Sequence, residues 1–229
     1  LIFIYSTNSR AEDINLCELY AGYDVEFEDI NADLAIIECQ KAVDKNADNL
    51  SNLNLLGRSY YAKKNFNQAY KIFLKAANQE NAWSQYYLGV MYDYGEVVEQ
   101  DYSEAAKWYR KAADQGHDWA QFNLGVMYKN GEGVEQDDTE AAKWYRKAAD
   151  QGDSDAQNNL GVMYENGEGV EQDDTEAAKW YRKAADQGHD WAQNNLGVMY
   201  EIGKGVKQDL WEAIKWYRKA ADQGHDWAQ

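Results

Sequence analysis

The chain has 229 residues, 45% of them hydrophobic and 14% aromatic, with a formal charge of −17 and no proline. That aromatic content buries enough area to offset chain entropy, which excludes an acidic disordered chain. The charge argues against nucleic acid, whose phosphates need a surplus of Lys and Arg, and no run of about 20 apolar residues is present to span a membrane.

With proline absent, glycine is left as the helix breaker, so helices separated by Gly turns are the first expectation. Two segments recur every 36 residues. LGVMY begins at Leu88, Leu124, Leu160 and Leu196, and WYRKAADQG at Trp108, Trp144, Trp180 and Trp216. A fixed period of this length marks a repeat architecture rather than one globular core.

Taken in chain order, Leu1 to Tyr5 is apolar and leads into Ser6 to Arg10 and Ala11. Residues 1–11 read either as the remnant of a secretory signal peptide cleaved after Ala11, or as a short strand or disordered leader. Residues 12–48 hold a degenerate helix pair: Leu16 and Tyr20 keep the Leu-x-x-x-Tyr spacing, and Ala35 to Val43 reads as a second helix. In this register Cys17 takes the place of the Gly in Leu-Gly, and Cys39 that of the Tyr in Trp-Tyr. Those positions face each other across a helix pair, so a disulfide is geometrically open and would suit an exported protein. Two buried free thiols in a cytosolic protein are the other reading. In residues 49–81, Leu56-Gly57 with Tyr60 matches a first helix, and Ala69-Tyr70 through Lys75-Ala76-Ala77 a second. Leu56 to Leu88 spans 32 residues, so this unit has a shorter inter-helix loop.

Units 82–117, 118–153, 154–189 and 190–225 are regular, and Asp226 to Gln229 open a further one. In 118–153 a first helix is expected from Asp118 to Lys129, because Ala120, Leu124, Met127 and Tyr128 share one helical face. Asn130-Gly131-Glu132-Gly133 ends it. A second helix starts near Asp137, where Asp137-x-x-Glu140 fits a capping pattern that recurs as Asp101/Glu104, Asp173/Glu176 and Asp209/Glu212. Ala141, Trp144, Tyr145, Ala148 and Ala149 form its buried stripe, and Gly152 closes it.

These residues resemble the Sel-like repeat family, longer-looped relatives of tetratricopeptide repeats. The pattern is carried by Ala120, Leu124-Gly125, Met127-Tyr128, Gly131, Gly133-Val134, Asp137, Ala141, Trp144-Tyr145, Lys147-Ala148-Ala149 and Gly152. Glu135 stands where family members often carry Pro, and Val97 replaces the second loop Gly in the unit at 82. Unit 49–81 looks more like a plain tetratricopeptide repeat. The resemblance implies an all-α, right-handed α/α superhelical solenoid whose concave side, lined by first helices, binds proteins. It also implies roles such as adaptors, secreted virulence factors or cell-envelope proteins. In the tetratricopeptide register, groove positions precede the Leu by five and two and follow it by two and five. They are Trp83, Tyr86, Val90 and Asp93; Trp119, Phe122, Val126 and Lys129; Asp155, Asn158, Val162 and Glu165; and Trp191, Asn194, Val198 and Glu201. Aromatics at a recognition face often carry binding energy. The other reading is that Trp83, Trp119 and Trp191 pack the junctions between units.

A catalytic constellation is hard to build. His117, His189 and His225 share one register, so they lie one or more repeats apart and cannot converge on one metal. Glu165 to Glu176 has the length of a calcium loop but lacks its early acidic ligands, and Val170 sits where Gly is required. No phosphate loop, serine elbow or CxxC pair occurs, so no cofactor is expected. Acid collects in the loops, as at Glu132, Glu135, Asp137 and Asp138, whereas 190–225 is neutral. The expected function is a non-enzymatic scaffold binding a protein or peptide, without a membrane span and with end-to-end self-association open. A periplasmic or secreted location is expected, with the cytoplasm as the alternative. The competing functions are a cysteine-rich envelope enzyme binding peptidoglycan or β-lactam, and a secreted host-interaction factor. The enzyme reading wants a disulfide in every unit, and no Cys occurs after residue 82.

Overall fold

The computed structural model describes residues 16–22, 25 and 30–222. The leader, His225 and the opening of a further unit at 226–229 lie outside them. Twelve α-helices and no strand occur among the described residues: α1 (Leu16–Ala21), α2 (Ala32–Lys45), α3 (Leu50–Ala62), α4 (Phe66–Ala77), α5 (Ala82–Tyr94), α6 (Tyr102–Asp114), α7 (Asp118–Asn130), α8 (Asp138–Asp150), α9 (Ser154–Asn166), α10 (Asp174–Asp186), α11 (Asp190–Ile202) and α12 (Leu210–Asp222). Consecutive helices pack as antiparallel pairs, the layered unit of an all-α solenoid. The chain divides into two compact units, residues 1–84 and 85–229.

In the larger unit each pair is held by a close approach. Gly125 on α7 faces the ring of Tyr145 on α8, and a Cβ built on Gly125 would stand 2.7 Å from Tyr145 Cδ1. The same relation joins Gly89 to Tyr109, Gly161 to Tyr181 and Gly197 to Tyr217. Glycine is therefore a packing requirement inside these helices, despite its helix propensity cost of about 1 kcal/mol. Around each contact the second helix buries its alanine stripe. Ala141, Tyr145, Ala148 and Ala149 share a core with Ala156, Leu160 and Met163 of the next repeat and with Trp180.

The loop between paired helices needs glycine for a different reason. Gly131 ends α7 in the left-handed region, at φ 74°, and its N–H donates to Met127 O at 2.8 Å. Gly133, at φ 68°, lies against the Tyr102 carbonyl at the start of α6 in the preceding repeat, with no room for a Cβ. After this loop Asp137 caps α8, accepting from Thr139 N and Glu140 N. The Glu140 carboxylate does not reach back to the Asp137 N–H. Asp137 N–H donates instead to Tyr128 O at 3.0 Å, and Glu140 pairs with Lys143. The caps at Asp101, Asp173 and Asp209 follow the same rule.

Successive repeats are tied by two ladders. Gln121, Gln157 and Gln193, each buried, donate to the carbonyls of Ala113, Ala149 and Ala185 at 3.0–3.2 Å. Gln151 Nε2 donates to Gln121 Oε1 at 2.8 Å and to Gly116 O at 3.0 Å, and Gln187 does the same to Gln157 and Gly152. The second ladder is cationic. Arg110 lies 5.7 Å from the Trp144 ring centroid, Arg146 5.4 Å from Trp180 and Arg182 6.0 Å from Trp216, while each Arg also donates to the Tyr hydroxyl of the next first helix. Lys147 and Lys183 also lie over the Trp144 and Trp180 rings, at 3.6 and 3.7 Å.

In the first unit the N-terminal pair departs from the glycine rule. Cys17 on α1 and Cys39 on α2 are joined as a disulfide, with their Cα atoms 4.5 Å apart. Both side chains are buried among Ala21, Ala35, Leu53 and Leu55. Buried Arg58 on α3 donates to the carbonyls of Ala21, Gly22 and Val25, which places a cation at the carboxyl end of α1. In the next pair of this unit, Gly57 again meets an aromatic ring, that of Phe73.

His117 and His189 act as helix caps. His117 Nδ1 accepts from Ala120 N at 3.4 Å, and His189 Nδ1 from Ala192 N at 3.1 Å. The cap works only for neutral imidazole, since imidazolium has no acceptor. Burial lowers the His117 pKa from 6.5 to about 4.

Two predictions follow from these contacts. The Cys17–Cys39 bond closes a 22-residue separation, so reduction should cost the first unit about 3 kcal/mol. Urea unfolding with and without dithiothreitol measures this, and an unchanged midpoint would show that α1–α2 packing suffices alone. Below pH 6.5 the unfolded chain binds a proton at His117 that the folded chain refuses until about pH 4. Stability is therefore lost as pH falls through that window, by about 3 kcal/mol in total. A His117→Asn variant keeps a capping acceptor and should show a smaller loss than the parent between pH 6.5 and 4; parallel curves would remove His117 from the acid response.

Candidate interaction surface

The first-helix face is set by residues flanking the buried Leu of each repeat. Leu124, Leu160 and Leu196 are fully buried, which turns the positions five and two before them, and two and five after, toward the edge of the helix pair. Trp83 lies in the first unit, in the first turn of α5, and is half-buried. The remaining positions belong to the larger unit.

At the position five before Leu, Trp119 on α7 is 42% exposed and Trp191 on α11 is 53% exposed. Asp155, between them on α9, is exposed, and its Oδ1 lies 3.0 Å from His189 Nε2. Trp119 is the outer member of an aromatic cluster. Its ring centroid is 5.8 Å from Tyr86 and 6.2 Å from His117, and Tyr86 stacks on His117 at 4.7 Å. Burial drives the Tyr86 hydroxyl pKa well up, so the cluster carries no charge from it.

The inner positions are shared with packing. Phe122 is half-buried, with its ring 5.8 Å from Tyr145. Val126 packs beside it against the core of the following repeat, as Tyr86 and Val90 do one repeat earlier and Val162 one repeat later. Asn158 and Asn194 are half-buried, and Asn195 donates to Asn158 Oδ1 at 3.2 Å. Val198 breaks this trend at 37% exposed.

The charged positions five after Leu are engaged with the scaffold. Asp93 accepts from the Tyr109 hydroxyl at 3.1 Å, and burial raises its pKa. Lys129 bridges Asp138 at 3.1 Å and Glu168 at 2.5 Å. Glu165 accepts from the Tyr181 hydroxyl at 2.8 Å and from Lys204 at 3.1 Å. Glu201 accepts from Tyr217 at 2.6 Å. The side chains of this face that open to solvent are therefore Trp119, Asp155, Trp191, Val198 and Glu201. The others divide their surface between the face and the repeat junctions.

The tryptophans fall into two sets. Trp144, Trp180 and Trp216 are 4%, 4% and 2% exposed and fill the junctions. Trp119 and Trp191 are 42% and 53% exposed, and Trp119 also packs on Tyr86 and His117 of the preceding repeat. The sequence reading missed the glutamine and arginine ladders. Their signal was the invariant register of Gln121, Gln157 and Gln193 after Ala, and of Gln151 and Gln187 before Gly. Among the described residues no group of three or more His, Cys, Asp or Glu is placed to hold a metal. At the end of the calcium-loop-like stretch, Asp173 caps α10 and Glu176 pairs with Lys179.

Comparison with known proteins places this architecture. The Sel1 repeat matches residues 48–81, 84–117, 120–153, 154–189 and 192–225. No curated protein sequence matches the chain. Among solved structures, a protective antigen of uropathogenic Escherichia coli displaying an SLR fold is 36% identical, with a TM-score of 0.81 over 86% of this chain and 43% of that one. The chain thus spans less than half the length of that protein. A Sel1 repeat protein of Oxalobacter formigenes is 41% identical, with a TM-score of 0.70 over 75% of this chain and 70% of that one. The repeat match over most of the sequence, with paired helices throughout, establishes that the chain belongs to the Sel1 repeat family.

Proposed function

We propose that this chain is a non-enzymatic scaffold that holds a protein or peptide partner on its first-helix face. Sel1 repeat proteins are generally protein-interaction scaffolds. The observation that carries the reading here is the exposure of Trp119 and Trp191 at equivalent positions of α7 and α11. Large aromatic side chains left open at regular spacing have the chemistry of interface anchors. Asp155 and Glu201 supply a polar rim. Tyr86, Val90, Phe122, Val126, Lys129, Asn158, Glu165 and Asn194 shape the floor and walls of the same surface. Asp93 extends the proposal along α5.

The Cys17–Cys39 disulfide favours an oxidising compartment, periplasmic or extracellular, because cytosolic thiols are kept reduced. No helix among the described residues is long and apolar enough to cross a membrane. The E. coli relative is described as a protective antigen, which suits the same location and a role in contact with a host. The envelope-enzyme alternative gains nothing from one disulfide confined to the N-terminal pair.

The test is a Trp119→Ala/Trp191→Ala double variant in affinity capture from the source organism. Both rings are substantially exposed, so the thermal midpoint should stay within a few degrees of the parent, while capture of the partner falls about tenfold or more. A variant that melts early and still captures its partner would return both residues to a structural role.

A further inference from the structure

The repeat at 190–225 differs from its neighbours in the sign of its loop. Glu132 and Glu135 in one repeat, and Glu168 and Glu171 in the next, correspond to Lys204 and Lys207 here. This reversal removes the negative charge of the repeat. Lys204 is engaged with the preceding repeat, bridging Glu165 at 3.1 Å and Asp174 at 3.3 Å. Lys207 instead lines a cleft of about 740 Å³, together with Arg182, Tyr200, Val206, Gln208, Asp209, Glu212 and Lys215.

The acids of this cleft are already committed. Asp209 caps α12, accepting from Trp211 N at 2.9 Å and Glu212 N at 3.1 Å. Glu212 pairs with Lys215 through both oxygens at 3.1 Å. Arg182 donates to the Tyr200 hydroxyl, which fixes its guanidinium on the cleft wall. Lys207 is exposed and makes no ion pair among the described residues. With Lys215 and Glu212 paired and one Asp209 oxygen engaged in the cap, the cleft keeps Arg182 and Lys207 against the second Asp209 oxygen, beside Val206 and the Tyr200 ring.

We propose that this cleft is a second recognition site, which takes the carboxylate side chain of an acidic peptide segment in a partner protein. Lys207 and Arg182 supply the charge-assisted hydrogen bonds, and Val206 and Tyr200 receive the adjacent apolar residue. The surrounding field sets the register. An acidic segment is repelled by the negatively charged repeats before this one and is tolerated only where the loop is reversed. This site is separate from the first-helix face and does not depend on it.

The experiment uses the whole chain and a fluorescein-labelled peptide of alternating leucine and glutamate, read by fluorescence anisotropy. The controls are the same peptide with glutamine in place of glutamate, and inorganic phosphate as competitor. Lys207→Glu restores the residue type of the other repeats at an exposed position, so circular dichroism and the thermal midpoint should be unchanged. Binding of the glutamate peptide should weaken about tenfold in this variant and fall with added salt. The Trp119→Ala/Trp191→Ala protein should bind this peptide like the parent. Equal binding of the glutamine peptide, displacement by phosphate at matched concentration, or equal affinity of Lys207→Glu would each overturn the proposal. So would sedimentation showing that Lys207→Glu dissociates a dimer, because the cleft would then serve a second copy of the chain.

Discussion

Everything in this molecule rests on how closely two helices of a pair can approach. A glycine on the first helix accepts the flat ring of a tyrosine or phenylalanine from the second, at Gly57, Gly89, Gly125, Gly161 and Gly197. No side chain fits there, so helix propensity is sacrificed for contact between backbone and ring. The alanines on either side follow from the same requirement. Ala141, Ala148 and Ala149 are small because the neighbouring helices leave no space for more, and they are buried almost completely. The N-terminal pair meets the constraint by other chemistry. Cys17 and Cys39 occupy the two facing positions and are linked covalently where the others have a glycine and a ring.

A pair formed this way is too thin to be stable alone, and stacking supplies the rest. Each junction combines an apolar filler, the buried Trp of the second helix, with a polar ladder that has little positional freedom. A buried glutamine that donates to a helix-end carbonyl satisfies a group that would otherwise be desolvated without a partner. The same glutamine then accepts from the next Gln along, so displacing one repeat would leave several buried amides unpaired. The arginines work at the outer edge of the junction, touching a Tyr hydroxyl and a Trp face of the following repeat. These bonds join each second helix to the first and second helices of the repeat that follows.

Much of this was legible in the sequence, and the reasons are specific. The 36-residue period and the Gly punctuation gave both helices of each regular pair, and the repeat register placed Cys17 opposite Cys39. The Asp caps were also readable, but their partners were not. Asp137 N–H goes to Tyr128 O because the preceding loop folds back on the first helix, a tertiary contact that a local capping pattern cannot contain. The groove register carried over from tetratricopeptide repeats placed the exposed tryptophans on α7 and α11. It did not distinguish Phe122 and Val126, whose rings and methyls turn partly into the next repeat, from Trp119, which stands outside it. Nor could it show that Lys129 and Glu165 spend their charge on neighbouring repeats. Those assignments depend on which side chain reaches across a junction, and distance along the chain carries no record of that.

Both proposed recognition surfaces therefore sit on what the packing leaves over: open aromatics on the first helices, and a reversed loop charge in one repeat. Both are carried by helix pairs that the glycine–ring contact holds together. The most direct measurement is the stability of Gly125→Ala by chemical unfolding, alone and combined with Tyr145→Leu. If close approach governs the pair, Gly125→Ala should destabilise by about 1–3 kcal/mol through overpacking, and the double variant should recover part of that loss. A rise of about 1 kcal/mol in the single variant, as helix propensity alone would give, would contradict the account.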